Sequence, residues 1–152
     1  PAPALTASTK TPEAAAPARA PASVQDDGSV AAGLATGLPV VLQDLVFASG
    51  AATLEDADYP SLLALSAWLQ ANPAAKVMLV GHTDAVGGLA ANVSLSKRRA
   101  ESVRAVLISR HGIPAAQVSA DGVGPLAPRA SNLDAAGQAQ NRRVEVFVTS
   151  TQ

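Results

Sequence analysis

The chain has 152 residues, 48% of them hydrophobic, and a formal net charge of −1 at pH 7. This length predicts one domain, and the apolar content is sufficient for a buried core. From Leu38 onward basic and acidic side chains balance, which excludes the basic surface expected of a nucleic-acid-binding protein. There is no cysteine, so disulfides and cysteine-based metal sites are also excluded.

The N-terminal segment, Pro1 to about Thr36, has the composition of a linker. Its first 22 residues contain five prolines and nine alanines without a periodic apolar face, which favours an extended, solvated tether. No stretch has the length of a membrane span or the pattern of a signal peptide. We therefore expect a flexible linker over residues 1–36 and a folded domain over residues 37–150, in a fragment or processed product.

The first half of the predicted domain contains one strand and one helix. Residues 40–47 are β-branched and mostly apolar, as in a strand. Asp58 is then a candidate helix cap, and Pro60 suits the first helical turn. Leucines at helical spacing follow, and the pattern predicts that this helix ends near Asn72-Pro73.

The second half predicts three strands around a second helix. Residues 77–80 are a continuous apolar run, typical of a strand in the middle of a sheet. The helix is expected from Asn92, as its N-cap, to His111-Gly112. Residues 118–121 form a short third strand, and residues 144–148 alternate as in an edge or half-covered strand. This order predicts an α+β fold, a two-layer sandwich with two main helices on one face of a small, mixed, four-stranded sheet.

The candidate binding residues lie between the second strand and the second helix. Asp84 follows the strand that ends at Gly81, and Arg99 lies near the start of the helix, on the border of its apolar stripe. A guanidinium there can reach the sheet edge and hold a carboxylate through two hydrogen bonds. A fixed pair of opposite charges suits a ligand that is itself zwitterionic.

These residues also form a family pattern. Thr83-Asp84, a gap, and then Asn92-x-x-Leu95-Ser96-x-x-Arg99-Ala100-x-x-Val103 resembles the peptidoglycan-binding signature of the OmpA-like C-terminal domain. Residues 45–54, 120–124 and 141–146 resemble the first, third and closing strands of that family, and the resemblance spans about Leu38 to Val148. One departure is Ala48, where family members commonly carry an acidic residue.

The resemblance implies a non-catalytic domain that binds Gram-negative peptidoglycan without a cofactor. In the family an aspartate and an arginine hold the diaminopimelate of the stem peptide, and Asp84 and Arg99 match these positions. The expected location is the periplasm, with a tether to the outer membrane. Seven further residues are candidate secondary contacts: Thr83, Asn92, Leu95, Ser49, Gly50, Asn141 and Arg142.

Some of these secondary residues have a structural alternative. Asn92 is a candidate helix cap, a role that is compatible with ligand contact. Asn141 and Arg142 are as well placed to order the long loop of residues 125–140 as to contact a ligand. The other arginines of the second helix, Arg98, Arg104 and Arg110, fit a solvated basic face.

Other functions have less support. A protein-interaction module without wall binding remains an alternative because of Ala48. A hydrolase is disfavoured because Ser94 does not lie in a nucleophile elbow. Nucleotide binding is disfavoured because the spacing of the glycines matches no phosphate-binding loop. A metal site at His82 and Asp84 is disfavoured because the only other histidine, His111, lies at the far end of a helix and there is no cysteine.

Overall fold

A computed structural model describes residues 27–55 and 57–152. Within these residues four helices and four strands follow in chain order: α1 (Asp27–Ala35), β1 (Val40–Val41), α2 (Pro60–Ala71), β2 (Lys76–Gly81), α3 (Leu89–His111), β3 (Val118–Gly122), α4 (Ala135–Asn141) and β4 (Val144–Ser150). A short 3₁₀ turn, Ala115–Gln117, precedes β3. Residues 1–26 of the predicted linker lie outside the described residues.

The sheet is mixed, with the strand order β1-β4-β2-β3. β2 runs parallel to β3 and antiparallel to β4, and β1 pairs antiparallel with β4. The apolar core lies between one face of this sheet and helices α1, α2 and α3. This arrangement confirms the predicted α+β sandwich with a four-stranded mixed sheet.

Helix α3 lies unusually close to the sheet, because two strand residues opposite it lack side chains. A Cβ atom on Gly81 would lie 1.8 Å from Ser96 O, and one on Gly122 would lie 2.2 Å from Lys97 N. Any larger residue would push the helix away from β2 and β3. The two glycines therefore fix the distance between α3 at Ser96-Lys97 and the ends of β2 and β3.

Several predicted boundaries are wrong. The first strand contains only Val40–Val41, and the following residues continue as irregular backbone to the next helix. α2 is not capped by Asp58, since its N-cap is Tyr59 and the Asp44 carboxylate accepts from the amide and the hydroxyl of Ser61 instead. The first turn of α2 is thus hydrogen-bonded to the distant Asp44 rather than to the neighbouring Asp58.

Two helices lie where the sequence predicted none. α1 falls inside the predicted linker, and its Val30 and Leu34 side chains are buried in the core, so the folded part begins before residue 37. α4 interrupts the predicted loop of residues 125–140, with Asp134 as an N-cap that accepts from Gly137 N at 2.6 Å. β4, which the alternation left as an edge or half-covered strand, lies inside the sheet between β1 and β2.

β1 and β3 are the edge strands of the sheet, and side chains bind part of the exposed backbone of β3. Arg104 Nε donates to Val118 O at 2.7 Å, and Arg104 Nη2 donates to Ala115 O at 3.1 Å. At the other end of the strand, Asp121 Oδ1 accepts from Gly122 N at 2.8 Å. Backbone groups at both ends of β3 are therefore already hydrogen-bonded to side chains.

The burial of α1 gives a test of the domain boundary. Leu34→Ala should lower the free energy of unfolding by roughly 2–4 kcal/mol, as for other large-to-small core changes. Leu38→Ala removes the same atoms from a side chain that is 66% exposed and should change it by less than ~0.5 kcal/mol. Urea denaturation measures both; equal effects would place the boundary after α1, as the sequence predicted.

Candidate functional site

The candidate site lies at one end of the sheet, where β2 ends and β4 begins. Antiparallel pairing sets Gly81 opposite Val144, and His82 N donates to Arg143 O at 2.8 Å one step further along. This register brings Asp84 and Arg142 into contact although they are 58 positions apart in sequence. The site therefore depends on the strand pairing rather than on any local turn.

Asp84 is the buried acid of the site. Its residue is 5% exposed, Oδ2 accepts from Arg142 Nη1 at 2.8 Å, and Oδ1 accepts from Val86 N at 3.1 Å. The Thr83 hydroxyl donates to Asp84 O at 2.8 Å and fixes the adjoining backbone. The result is a partly desolvated carboxylate in a fixed orientation, which is suited to binding a cation.

Arg99 is completely buried and holds the backbone around it. Nε donates to Ala51 O at 2.7 Å, Nη2 donates to Ala48 O at 3.0 Å, and Nη1 donates to His82 O at 3.2 Å. The guanidinium carbon lies 5.1 Å from the centre of the Phe47 ring, within cation–π range. The side chain reaches the sheet edge as predicted, but three of its five N–H groups bind backbone carbonyls there.

The surroundings of Arg99 also change its acidity. Burial lowers its pKa and Arg142 lowers it further, whereas the nearby Asp84 carboxylate raises it, and the outcome is a pKa of about 10. The group therefore remains charged at neutral pH. The charges of Asp84 and Arg142, which are themselves in contact, therefore act on Arg99 in opposite directions.

Arg142 is the more accessible of the two guanidinium groups. Its side chain is 19% exposed, whereas Arg99 is fully buried. Its ion-pair partner, the Asp84 side chain, is 7% exposed. Its Nε donates to Phe47 O at 3.2 Å, so it also holds the segment that Arg99 binds. The sequence left the role of Arg142 open, and the structure makes it the direct partner of the acid.

The remaining candidates divide into exposed and buried groups. Ser49 and Gly50 form the exposed tip of the Ala48–Ala51 turn, in which Gly50 has a φ of +77°. Thr83 and Leu95 are buried, with exposed fractions of 2% and 8%. Ser49 and Gly50 are therefore accessible to a ligand, whereas Thr83 and Leu95 are covered by the surrounding structure.

Asn92 is not the cap of α3, which corrects the prediction. The helix begins one turn earlier at Leu89 with Gly88 as its N-cap, because Gly88 has the extended backbone of a capping residue. The buried Asn92 side chain instead donates to Val86 O at 2.8 Å. It thereby closes the loop that carries Asp84 onto the helix.

Asn141 orders the loop before α4. Its Oδ1 accepts from Arg129 N and Ala130 N, and its Nδ2 donates to Ala130 O and to Asn132 Oδ1. All four hydrogen-bonding positions of the amide are thus used inside the protein. Asn132, which the sequence analysis missed, also accepts from Ala85 N at 3.2 Å and joins this loop to the Asp84 loop.

A second charged group, also missed, lies beside the site. Arg143 Nε donates to Glu145 Oε2 at 2.6 Å, and His82 Nε2 lies 3.6 Å from Glu145 Oε1. Burial raises the pKa of Glu145, but the adjacent His82 ring and the hydrogen-bonded Arg143 guanidinium lower it to about 2. The sequence gives little indication of this group, because Glu145 has the position of an ordinary solvent-facing residue in an alternating strand.

The described residues contain no group of three or more His, Cys, Asp or Glu side chains that could hold a metal ion. In the same part of the chain, every helix is too short or too polar to cross a membrane.

Replacing Arg99 should affect folding as well as the site. Arg99→Ala leaves the carbonyls of Ala48, Ala51 and His82 without their donor and removes the group that covers Phe47, so we expect a loss of roughly 2–4 kcal/mol in unfolding free energy. The exposed neighbour Arg98, changed to alanine, should cost less than ~0.5 kcal/mol. Chemical denaturation of the two variants checks this, and equal stability would contradict the role of Arg99 as a clamp.

The Glu145 group predicts a dependence of stability on acid pH. An unfolded glutamate binds a proton near pH 4.5, whereas the native group resists protonation until about pH 2, so its stabilisation is complete above about pH 5 and is lost towards pH 2. This loss amounts to at most about 3 kcal/mol. Glu145→Gln should flatten the dependence between pH 5 and 2. Glu101→Gln, at an exposed position, should leave this pH dependence unchanged. Urea denaturation at several pH values measures the unfolding free energy of each variant, and the same pH dependence in both would show that Glu145 is not its cause.

The comparison with known proteins agrees with the fold and the motif. The OmpA family model matches residues 46–142, which is more than half of the chain. The probable lipoprotein YiaD of Escherichia coli is 41% identical over 106 residues, covering 70% of this chain and 48% of YiaD. The peptidoglycan-binding protein ArfA of Mycobacterium tuberculosis is 38% identical over 104 residues, covering 68% of this chain and 32% of ArfA.

The chain therefore spans half or less of these two relatives. Among solved structures, the peptidoglycan-associated lipoprotein from Burkholderia pseudomallei superimposes with a TM-score of 0.64 at 30% sequence identity, covering 69% of this chain and 88% of that one. The family match, the sequence relatives and the shared fold lead to one conclusion. The chain belongs to the OmpA family.

Proposed function

We propose that this domain binds peptidoglycan non-covalently through the diaminopimelate of the stem peptide and so anchors an envelope protein to the cell wall. The observation that carries the proposal is the buried Asp84 carboxylate in contact with guanidinium charge at a solvent-accessible end of the sheet. Diaminopimelate ends in an ammonium and a carboxylate on one carbon. A site with both charges fits that end of the ligand.

Each charge of the ligand has a partner in this proposal. Asp84 receives the ammonium, while Arg99 and Arg142 supply the positive field that receives the carboxylate. Because the acid is 95% buried, the surrounding solvent screens its attraction for a cation only weakly. Desolvated, hydrogen-bonded charge pairs of this kind are worth on the order of 1.5–3 kcal/mol each.

The secondary residues contribute in two ways. Ser49 and Gly50, on the exposed turn, are placed to contact the ligand directly, whereas Thr83, Asn92, Leu95 and Asn141 keep the walls of the site in position. Ala48 replaces the acidic residue common in the family, but its backbone carbonyl accepts from Arg99. The turn is thus held without an acidic side chain at this position.

The relatives support the same function. Two are described as a peptidoglycan-binding protein and a peptidoglycan-associated lipoprotein, and YiaD is described as a probable lipoprotein. We propose that the domain lies in the periplasm and is tethered to the outer membrane, which these descriptions support. The activity is binding without turnover of the wall polymer.

A pull-down with purified Gram-negative sacculi, followed by an assay for released muropeptides, tests this function. We expect the protein to sediment with sacculi and to release no muropeptides. Failure to sediment would favour the alternative, a protein-interaction module, and release of muropeptides would indicate a hydrolase. Asp84→Asn should lose sedimentation while Asp58→Asn, whose side chain is 75% exposed, retains it.

The ligand assignment makes a quantitative prediction. Lysine lacks the carboxylate beside its distal ammonium, so a lysine-type stem peptide leaves the guanidinium side of the site without its anion. We expect its affinity to be at least ~100-fold lower than that of the diaminopimelate-type stem. Calorimetric titration with the two peptides measures the ratio. Equal affinities would show that the carboxylate is not recognised.

A further inference from the structure

The acid of the site already has a cation. Arg142 Nη1 lies 2.8 Å from Asp84 Oδ2, and both side chains are mostly buried, so this is an internal charge-assisted hydrogen bond and not a loose surface pair. A ligand ammonium that binds Asp84 must compete with this guanidinium. The competition has consequences for which ligands are accepted.

Arg142 and Arg99 are not equivalent in this competition. Three donor atoms of Arg99 are held by carbonyls in a fully buried position, whereas Arg142 binds one carbonyl, Phe47 O, and keeps an exposed portion. Arg142 can therefore turn part of its fork towards a ligand without uncovering the core. Arg99 cannot do so without releasing the Ala48–Ala51 turn.

We infer that Arg142 determines ligand specificity by acting as an internal counter-ion of Asp84. This inference rests on the proposed function. A ligand with an ammonium alone displaces Arg142 from Asp84 and leaves a part-buried guanidinium without an anion. A ligand with an ammonium and a carboxylate on the same carbon gives each group a new partner, exchanging one ion pair for two.

The competition predicts a particular effect of removing the charge. In Arg142→Gln no internal cation competes for Asp84, so the affinity for a lysine-type stem should rise. The same variant lacks the partner of the second carboxylate, so the affinity for the diaminopimelate-type stem should fall. The ratio of the two affinities should shrink from at least ~100-fold to less than ~10-fold.

A purely structural role would produce a different result. If Arg142 only held the backbone at Phe47, its loss would weaken both ligands by the same factor and leave their ratio unchanged. The direction of the change for the lysine-type stem therefore separates the two roles. The exposed Arg129, changed to glutamine, is the matched control for the loss of one positive charge.

The experiment is calorimetric titration of the whole chain with three synthetic stem peptides, ending in diaminopimelate, in diaminopimelate with its distal carboxylate amidated, and in lysine. Wild type and Arg129→Gln should bind the first at least ~100-fold more tightly than the other two. Arg142→Gln should bind the amidated and lysine forms more tightly than wild type does. If Arg142→Gln lost affinity for all three peptides by the same factor, so that the ratio of affinities stayed unchanged, the inference would be wrong while the proposed function would stand.

Two further outcomes are informative. If wild type binds none of the peptides, or binds all three equally, the proposed ligand is wrong and the inference falls with it. If Arg142→Gln does not fold, Arg142→Lys replaces it, because lysine keeps the competing charge without the fork. That variant should bind the diaminopimelate stem at least ~10-fold more weakly and should show no gain for the lysine stem. A gain for the lysine stem would overturn the inference.

Discussion

The binding of three backbone carbonyls by the buried Arg99 guanidinium is the interaction on which the site depends. It ties the turn after β1, the end of β2 and helix α3 to one side chain. A buried cation is costly unless its hydrogen bonds are satisfied, and here carbonyl oxygens, an aromatic face and a nearby carboxylate all compensate it. The guanidinium that we propose to act on a ligand thus also holds the backbone segments around the site.

Much of this could be predicted from the sequence because it is encoded locally. The apolar run before Gly81 and the spacing from Asp84 to Arg99 specify a strand, a loop and a helix in that order. The left-handed Gly112, with a φ of +69°, ends α3 where the sequence predicted. The fold class follows from this order of elements, since a helix between two strands favours parallel pairing of β2 and β3.

What was missed depends on contacts between distant segments. The pairing of Asp84 with Arg142 follows from the register of β2 against β4, which no local pattern specifies. The first turn of α2 is bound by Asp44, 17 positions before Ser61, whereas the sequence pattern favoured the nearer Asp58. α1 has little amphipathic pattern, because its small residues, alanine and glycine, leave only Val30 and Leu34 to mark the buried face.

The partly covered edge of β3 has a consequence for contact between copies of the domain. An exposed strand edge is a template on which a neighbouring copy can extend its sheet. Arg104 and Asp121 occupy the backbone groups at the two ends of this strand, so a second chain would have to break those hydrogen bonds before it could pair. Copies of the domain that meet at this edge would therefore resist joining their sheets into one.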